Sequence, residues 1–421
     1  MNAYSLKRRM PVPVLKMCAV LLTADRREAI VMKKSKKATF FMICFVMVAL
    51  AFIDGILGVF LPQIKPELGI NDTQASAIFV VNLLGFCVFT SIGGHLCDKI
   101  GSRKSFFLLL GILLLFCLAM LCAHTYARLI LLSFILYCAL AALTVTVNSF
   151  IPSLFTTSQA FFMSFFHLVN YGGIALSKTT AGLLIRHNVN WRFIYLIIAA
   201  ILIICLGLWH FSFFPAPVVP DTEKKPERTL PLKHIFSTAF FLYVAAVGGY
   251  LSSVTAMHNW FVNYAVISFH MNIAKASSVF SLFFIFSALG SVFLARFIKR
   301  VGELKIVFLL SFAAFFLFLL GLLWRQTGLY LIALCGFFLS VTYPTTLVNI
   351  HTSFHLRPCF MLGLIVTAGS AINLIFTFVL GIANDVFGAH ASFYLVPLGL
   401  LVFSVSSFFI YLRQNTSLSE N

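Results

Sequence analysis

Acidic side chains are nearly missing from this sequence. Twelve Asp and Glu residues stand against 30 Lys and Arg in 421 positions, and charged residues of all types make up only 10%. A soluble fold needs a polar exterior, and the 61% of hydrophobic residues, 49 of them Phe, exceed what one core could hide. Also missing is a Gly-rich phosphate loop followed by Lys and Ser or Thr, which argues against a pump driven by ATP. No serine elbow and no metal-spaced His and Cys set occur, so neither hydrolytic nor metal-centred chemistry is expected. The ten cysteines include no Cys-x-x-Cys pair and read as small hydrophobes. These absences predict a protein that is not an enzyme and uses no cofactor or metal.

Long apolar runs fill the space instead. A membrane-spanning helix needs about 20 apolar residues, and about twelve such runs follow one another from Thr39 to Tyr411. Their expected starts lie near Thr39, Thr73, Ser105, Arg128, Ala160 and Arg192, then near Phe236, Ala274, Lys305, Thr327, Cys359 and Ala391. The stretch PAPVVPDTEKKPERTLPLKH, residues 215–234, is the longest polar and Pro-rich break, and its prolines oppose a helix. The reading is an all-α polytopic membrane protein with twelve spans in two six-helix pseudo-repeats. The expected bundles cover 39–213 and 236–412, joined by a cytoplasmic linker over 214–235, with cytoplasmic tails at 1–38 and 413–421. Residues 1–31 read as an extension before Met32, a second candidate start, and no cleavable signal is expected because the first apolar run continues as a span.

A net charge of +18 would suit a nucleic-acid binder, but its distribution points elsewhere. With a cytoplasmic N-terminus, roughly 23 of the 30 Lys and Arg fall on cytoplasmic segments, as the positive-inside rule requires. The basic clusters orient the chain in the bilayer; no nucleic-acid partner is expected. An internal repeat supports two halves. INDTQASAIF at 70–79 matches MNIAKASSVF at 271–280, with Asn71 and Asn272, Ala75 and Ala276, Ser76 and Ser277, Phe79 and Phe280 in register.

After the second span comes GHLCDKIGSRK, residues 94–104. Gly94 permits close helix approach, Gly101 a tight reversal, and Asp98 can hold a helix N-terminus or a basic partner on the other bundle. With Leu96, Lys99, Arg103 and Lys104, these residues fill every fixed place of the loop signature of the major facilitator superfamily, which the chain resembles over 39–412. In ARFIKRVGELK, residues 295–305, the second half keeps Gly302 but has Lys299 where Asp98 stands. The resemblance implies two six-helix bundles about a central solute path with alternating access. A narrower resemblance, to the fucose:proton symporter branch, rests on Asp54 followed by Leu61-Pro62-Gln63, on Asn148-Ser149-Phe150-Ile151, and on Tyr343-Pro344-Thr345. It implies sugar transport with protons. The chain departs from that branch at Thr144, where its sugar symporters carry a carboxylate, and at Ser177-Lys178 before Ala181-Gly182, where many relatives have Gly-Pro.

Asp54 poses the sharpest question, because a carboxylate at the centre of a spanning helix costs about 2.5 to 3.5 kcal/mol. It must be partnered, protonated or set on a wet path. Lys178 is the one cation inside an apolar span. At about 1.5 Å per residue, Asp54 lies about 22 Å and Lys178 about 27 Å from their helix starts, within reach of one lysine side chain. The two are expected to form a pair sensitive to protons or solute, against the plainer reading of a static salt bridge or a lysine snorkelling outward. His167 is a candidate proton relay. Asn82, Asn148, Asn170, Asn259, Trp260 and Asn263 are candidate solute contacts, since amides match hydroxyl groups and rings stack on CH faces; interfacial belts and helix-to-helix bonds are the competing readings. Asp385 reads as a helix-end residue with a lesser claim to gating, and Pro62, Pro152, Pro344 and Pro397 as bends or helix ends.

The expected activity is secondary active uptake of a small polar solute, foremost a sugar, with protons, by a monomer in the plasma (inner) membrane. Efflux of a drug or metabolite by the same fold and a non-transporting sensor are the alternatives.

Overall fold

The computed structural model of the chain describes residues 34–54, 56–154, 159–211, 236–354 and 358–419. The expected linker 214–235 and residues 1–33 lie outside the described residues. In the first half the helices are α1 (Lys34–Ile53), α2 (Ile56–Leu68), α3 (Asp72–Ile100), α4 (Ser102–Ala119), α5 (Tyr126–Leu154), α6 (Gln159–Arg186) and α7 (Ile194–Phe211). In the second they are α8 (Thr238–Phe269), α9 (Ile273–Val301), α10 (Glu303–Leu323), α11 (Arg325–Leu339), α12 (Thr342–Ser353), α13 (Pro358–Ser392) and α14 (Val396–Ser419). With α1–α2 and α11–α12 taken as interrupted pairs, the helices follow the expected spans in order. Length and hydropathy alone mark ten stretches of the described residues as membrane-spanning; one of them, Met361–Arg413, holds both α13 and α14, while α6 is not among them.

Local chemistry explains where the helices stop. α3 and α9 are both 29 residues long and begin 201 positions apart. Each is opened by an asparagine: Asn71 Oδ1 accepts from the Gln74 N–H at 2.8 Å, and Asn272 Oδ1 from the Ala274 N–H at 2.8 Å. Each is closed by a glycine at positive φ, 85° at Gly101 and 95° at Gly302, a conformation costly for any residue with a Cβ. Pro344 and Pro397 occupy first turns, where a missing N–H loses no helical bond. Pro62 and Pro66 fall within α2, just past the break at Asp54.

The two halves repeat one packing plan. In the first, α3 packs on α5, α1 on α6 and α7, and α4 on α5 and α7. In the second, α9 packs on α11, α8 on α13 and α14, and α10 on α11 and α14, the same pairings one half later. Between the halves α6 meets α9, α3 meets α13, and α2 meets α8. Leu115, Ile203, Leu323 and Ile375 leave more than half of their surface uncovered on the outside of this bundle. In water such a shell would be untenable; in lipid it is the required exterior. The protein is an integral, multi-pass membrane protein.

Candidate functional site

One end of the bundle carries the basic turns at Gly101 and Gly302; the other, called here the far end, carries the start of α3 and the end of α13. Asp54 sits where α1 stops, its own N–H still bonded to the Leu50 carbonyl at 2.9 Å. Lys178 lies on α6 with 0% of its surface exposed, its ammonium 5.1 Å from the centre of the Phe280 ring of α9. The Ser177 hydroxyl beside Lys178 donates to the Phe52 carbonyl at 3.4 Å, so Lys178 and Asp54 lie at one level across the α1–α6 contact. Asp54 thus faces protein, and Lys178 does not snorkel to a membrane surface.

A third ionisable side chain, not singled out from the sequence, joins this pair. His258 on α8 stands edge-on to Phe280 and Phe284, with ring centroids 5.9 and 4.8 Å apart, and so shares the Phe280 ring with Lys178. Its signal was available, a histidine in an apolar span directly before Asn259. Nothing in the local pattern distinguished it from an ordinary packed ring. Backbone contact fixes its level: a Cβ added to Gly58 would lie 2.6 Å from the His258 carbonyl oxygen and 2.8 Å from the Asn259 Cα. The glycine therefore lets α2 and α8 touch beside the charged cluster.

The candidate solute residues separate into two groups. Trp260 is buried and meets Phe79 of the other half edge-on at 5.9 Å, and its indole N–H has no partner among the described residues. Among the described residues, Asn263, one turn farther along α8, and Asn82, one turn past Phe79 on α3, are buried with both amide atoms unpartnered, and Asn148 Oδ1 is unpartnered too. Buried polar atoms left open are costly and mark places where something else completes them. Asn259 is buried beside Gly58. Asn170 is different, because its amide donates to the Met47 carbonyl at 3.2 Å and ties α6 to α1. Gln63 Oε1, of the Leu61-Pro62-Gln63 stretch, and Asn349 Nδ2, which the sequence did not single out, are further buried atoms unpartnered among the described residues. The side chains of His167 and Asp98, and the surroundings of Gly94, lie outside what is described. Of the remaining loop-motif residues, Lys99 and Lys104 are exposed and the Arg103 guanidinium lies 4.9 Å over the Trp209 ring, so this arginine braces α4 against α7.

At the far end the halves interlock. Asp385 of α13 accepts from the Asp72 N–H at 2.8 Å, the Thr73 N–H at 2.7 Å and the Thr73 hydroxyl at 2.5 Å, a carboxylate on the N-terminus of the opposite half's helix. Lys65 forms a 2.5 Å salt bridge with Asp72. Below this cap the Ser76 hydroxyl donates to the Thr377 carbonyl at 3.1 Å, and Thr179 and Ser281 hydroxyls meet at 3.0 Å across α6 and α9. Glu67 serves a different purpose within the first half, holding Arg192 at 2.5 Å and the Trp191 indole N–H at 2.7 Å.

This geometry is that of two pseudo-equivalent helical halves around polar groups, a carrier architecture. The profile of the Major Facilitator Superfamily matches residues 43–358 and 252–420. The chain belongs to that superfamily and is a transport protein rather than an enzyme. Among curated proteins it is similar to the hexuronate transporter of Bacillus subtilis (strain 168), 25% identical over 223 residues, covering 50% of this chain and 52% of the relative. The chain thus matches about half the length of that relative. Among solved structures it is similar in fold to a nucleoside transporter (TM-score 0.70, 12% identity, covering 89% of this chain and 99% of that one). It also resembles the E. coli fucose:proton symporter (0.61, 19%, 89% and 99%) and a D-xylose-proton symporter (0.69, 10%, 89% and 97%).

Proposed function

We propose that the protein moves a small polar solute, a sugar first of all, together with protons across the plasma (inner) membrane by alternating access. In this reading it acts as a monomer with both termini cytoplasmic, bundles over 39–213 and 236–412, and a linker over 214–235. The single observation that carries it is the wholly buried Lys178, level with Asp54 in one half and 5.1 Å from the centre of the Phe280 ring of the other. A buried charge pair is poor value as a stabiliser, because its desolvation offsets its attraction. A pair set where the halves meet gains a use when its charge changes with the protonation of Asp54. The open amides of Asn82, Asn148 and Asn263 and the Trp260 indole support a hydroxylated solute, and the relatives named above carry solutes of that kind. The positive-inside charge pattern puts the far end outside, so the Asp385 cap supports a state closed to the exterior.

Uptake of labelled sugars and sugar acids into vesicles, with and without an inward proton gradient, tests this function. Gradient-driven accumulation is expected for the native protein. Asp54→Asn is expected to abolish accumulation while leaving exchange down a solute gradient, with its pH dependence gone. Native pH dependence in that variant would remove Asp54 from the coupling role.

A further inference from the structure

The open amides of Asn82, Asn148, Asn263 and Asn349 fall on two levels. The outer level is set by Trp260 of α8 against Phe79 of α3, with Asn263 and Asn82 one turn beyond them. Asn148 and Asn349 lie far below it, toward the end that carries the basic turns. A Cβ added to Gly93 of α3 would come 2.5 Å from the Ala142 Cα of α5, so these two residues share a level. Asn82 lies eleven residues before Gly93, Asn148 lies six residues after Ala142, and both helices run away from the far end. At about 1.5 Å per residue, Asn148 is about 25 Å below Asn82. The second half gives a similar spacing through an independent contact. Tyr250 of α8 and Tyr343 of α12 stack at 4.9 Å; Asn263 lies thirteen residues from Tyr250 toward the far end, and Asn349 six residues from Tyr343 toward the basic end. That places Asn349 about 28 Å below Asn263. No monosaccharide spans either distance.

Asn148 and Asn349 are equivalents in the two halves. They stand 201 positions apart, the offset that relates α3 to α9, and Thr144, Val147 and Asn148 recur as Thr345, Val348 and Asn349. The two stretches are bonded alike: the Thr144 hydroxyl donates to the Leu140 carbonyl at 2.8 Å and the Thr345 hydroxyl to the Val341 carbonyl at 2.7 Å. Asn349 is 4% exposed and its Nδ2 has no partner among the described residues, while Asn148 leaves Oδ1 open. An open buried polar atom is costly, and here the cost recurs at the same place in both halves. A hydroxyl group, donor and acceptor at once, satisfies either atom. We propose that Asn349, with its first-half equivalent Asn148, forms a second solute station near the basic end of the path, which bonds the hydroxyl groups of a monosaccharide after they leave the Trp260 level. The inference rests on the solute reading above and deepens it. In the far-end-closed state, sugar released from Asn82, Trp260 and Asn263 is bonded again at Asn148 and Asn349 before it reaches the internal solution.

Sugar exchange measured separately from each side is the test. The probe is whichever of labelled D-glucose, D-galactose, D-mannose and D-glucuronate the native protein exchanges fastest, followed without a proton gradient in right-side-out and in inverted membrane vesicles. Asn349→Leu is expected to raise the half-saturation concentration about tenfold, the value of one hydrogen bond, for sugar presented at the basic end, and to leave it within about twofold of native at the far end. Asn263→Leu is expected to do the reverse. Asn349→Ser keeps a donor and an acceptor and is expected to shift the basic-end value less than leucine does. A packing role for Asn349 would instead move both sides together and lower the melting temperature, whereas leucine, which removes an open polar atom, is expected to hold or raise it. Equal shifts on the two sides, or native values on both, overturn the inference and leave the sugar reading in place. Exchange of none of the four sugars by the native protein removes the sugar reading, and this inference with it. Should Asn349→Leu fold poorly, Asn148→Leu reads the same station from the first half.

Discussion

Replacing Asp385 with alanine removes the carboxylate that caps α3 from the other half. Three donors lose their acceptor at once: the Asp72 and Thr73 N–H groups and the Thr73 hydroxyl. In a protected site, bonds to a charged acceptor are worth about 1.5 to 3 kcal/mol each. Asp385 is exposed, so water replaces much of this and salt screens the rest. A net loss of about 1 to 2 kcal/mol is the appropriate scale, similar to loss of a helix N-cap, and it corresponds to about a 5- to 30-fold change in an equilibrium. Because the cap exists only while α3 and α13 are together, the whole loss falls on the far-end-closed state. Hydrogen exchange of the Asp72 and Thr73 amides is the direct assay, with an expected acceleration of about 5- to 30-fold. Asp385→Asn, which keeps one acceptor but no charge, is expected to fall between. Unchanged exchange at these two amides in a folded Asp385→Ala protein would refute the cap. Faster exchange along all of α3 would mean that the helix melted rather than that the halves parted.

Three other substitutions test separate parts of the structure. Gly58→Ala places a methyl group 2.6 Å from the His258 carbonyl, a backbone atom that cannot swing away, so α2 and α8 must separate. The far-end distance, read by double electron–electron resonance between spin labels at the exposed Arg128 and Gln326, is expected to lengthen. Asn263→Leu removes a buried amide with no partner among the described residues. It is expected to raise the melting temperature, since an open buried polar group costs about 1 to 3 kcal/mol, while abolishing any stabilisation by added sugar in a thermal-shift assay. Glu67→Gln weakens the hold on Arg192 and Trp191 inside the first half and is expected to cost about 1 kcal/mol of stability without changing the far-end distance.

Much of the architecture was readable because lipid imposes a single rule on every span. An apolar run of sufficient length must satisfy its backbone internally and so becomes a helix. The run-by-run reading therefore located the helices to within a few residues, as at Asp72 and Ile273 against the expected Thr73 and Ala274. The matched decapeptides at 70–79 and 271–280 likewise marked two equivalent helix starts, and both helices are opened by the matched asparagines. Side-chain partners were less readable. Asn170 was read as a solute contact, and its amide nitrogen also donates to the Met47 carbonyl, a pairing set by how α1 and α6 rotate against one another. Asp385 looked mainly like a helix end, and only the meeting of α3 with α13 made it a cap for the opposite half. His258 was passed over because its company, Lys178 and Phe280, comes from two other helices.

By itself the sequence determined that the chain spans a membrane, roughly where each helix begins, that the halves repeat, and that Asp54 and Lys178 sit at comparable depths. These follow from composition and axial rise, both local properties of one strand of residues. Tertiary structure decided which way each helix is turned about its axis, and hence that Lys178 reaches Phe280 of the other half, that Trp260 and Asn263 are buried in protein rather than set in an interfacial belt, and that Asp385 closes on Thr73. Rotation about a helix axis is fixed by contacts between segments far apart in the chain, and in lipid no difference between inside and outside hydrophobicity supplies that information.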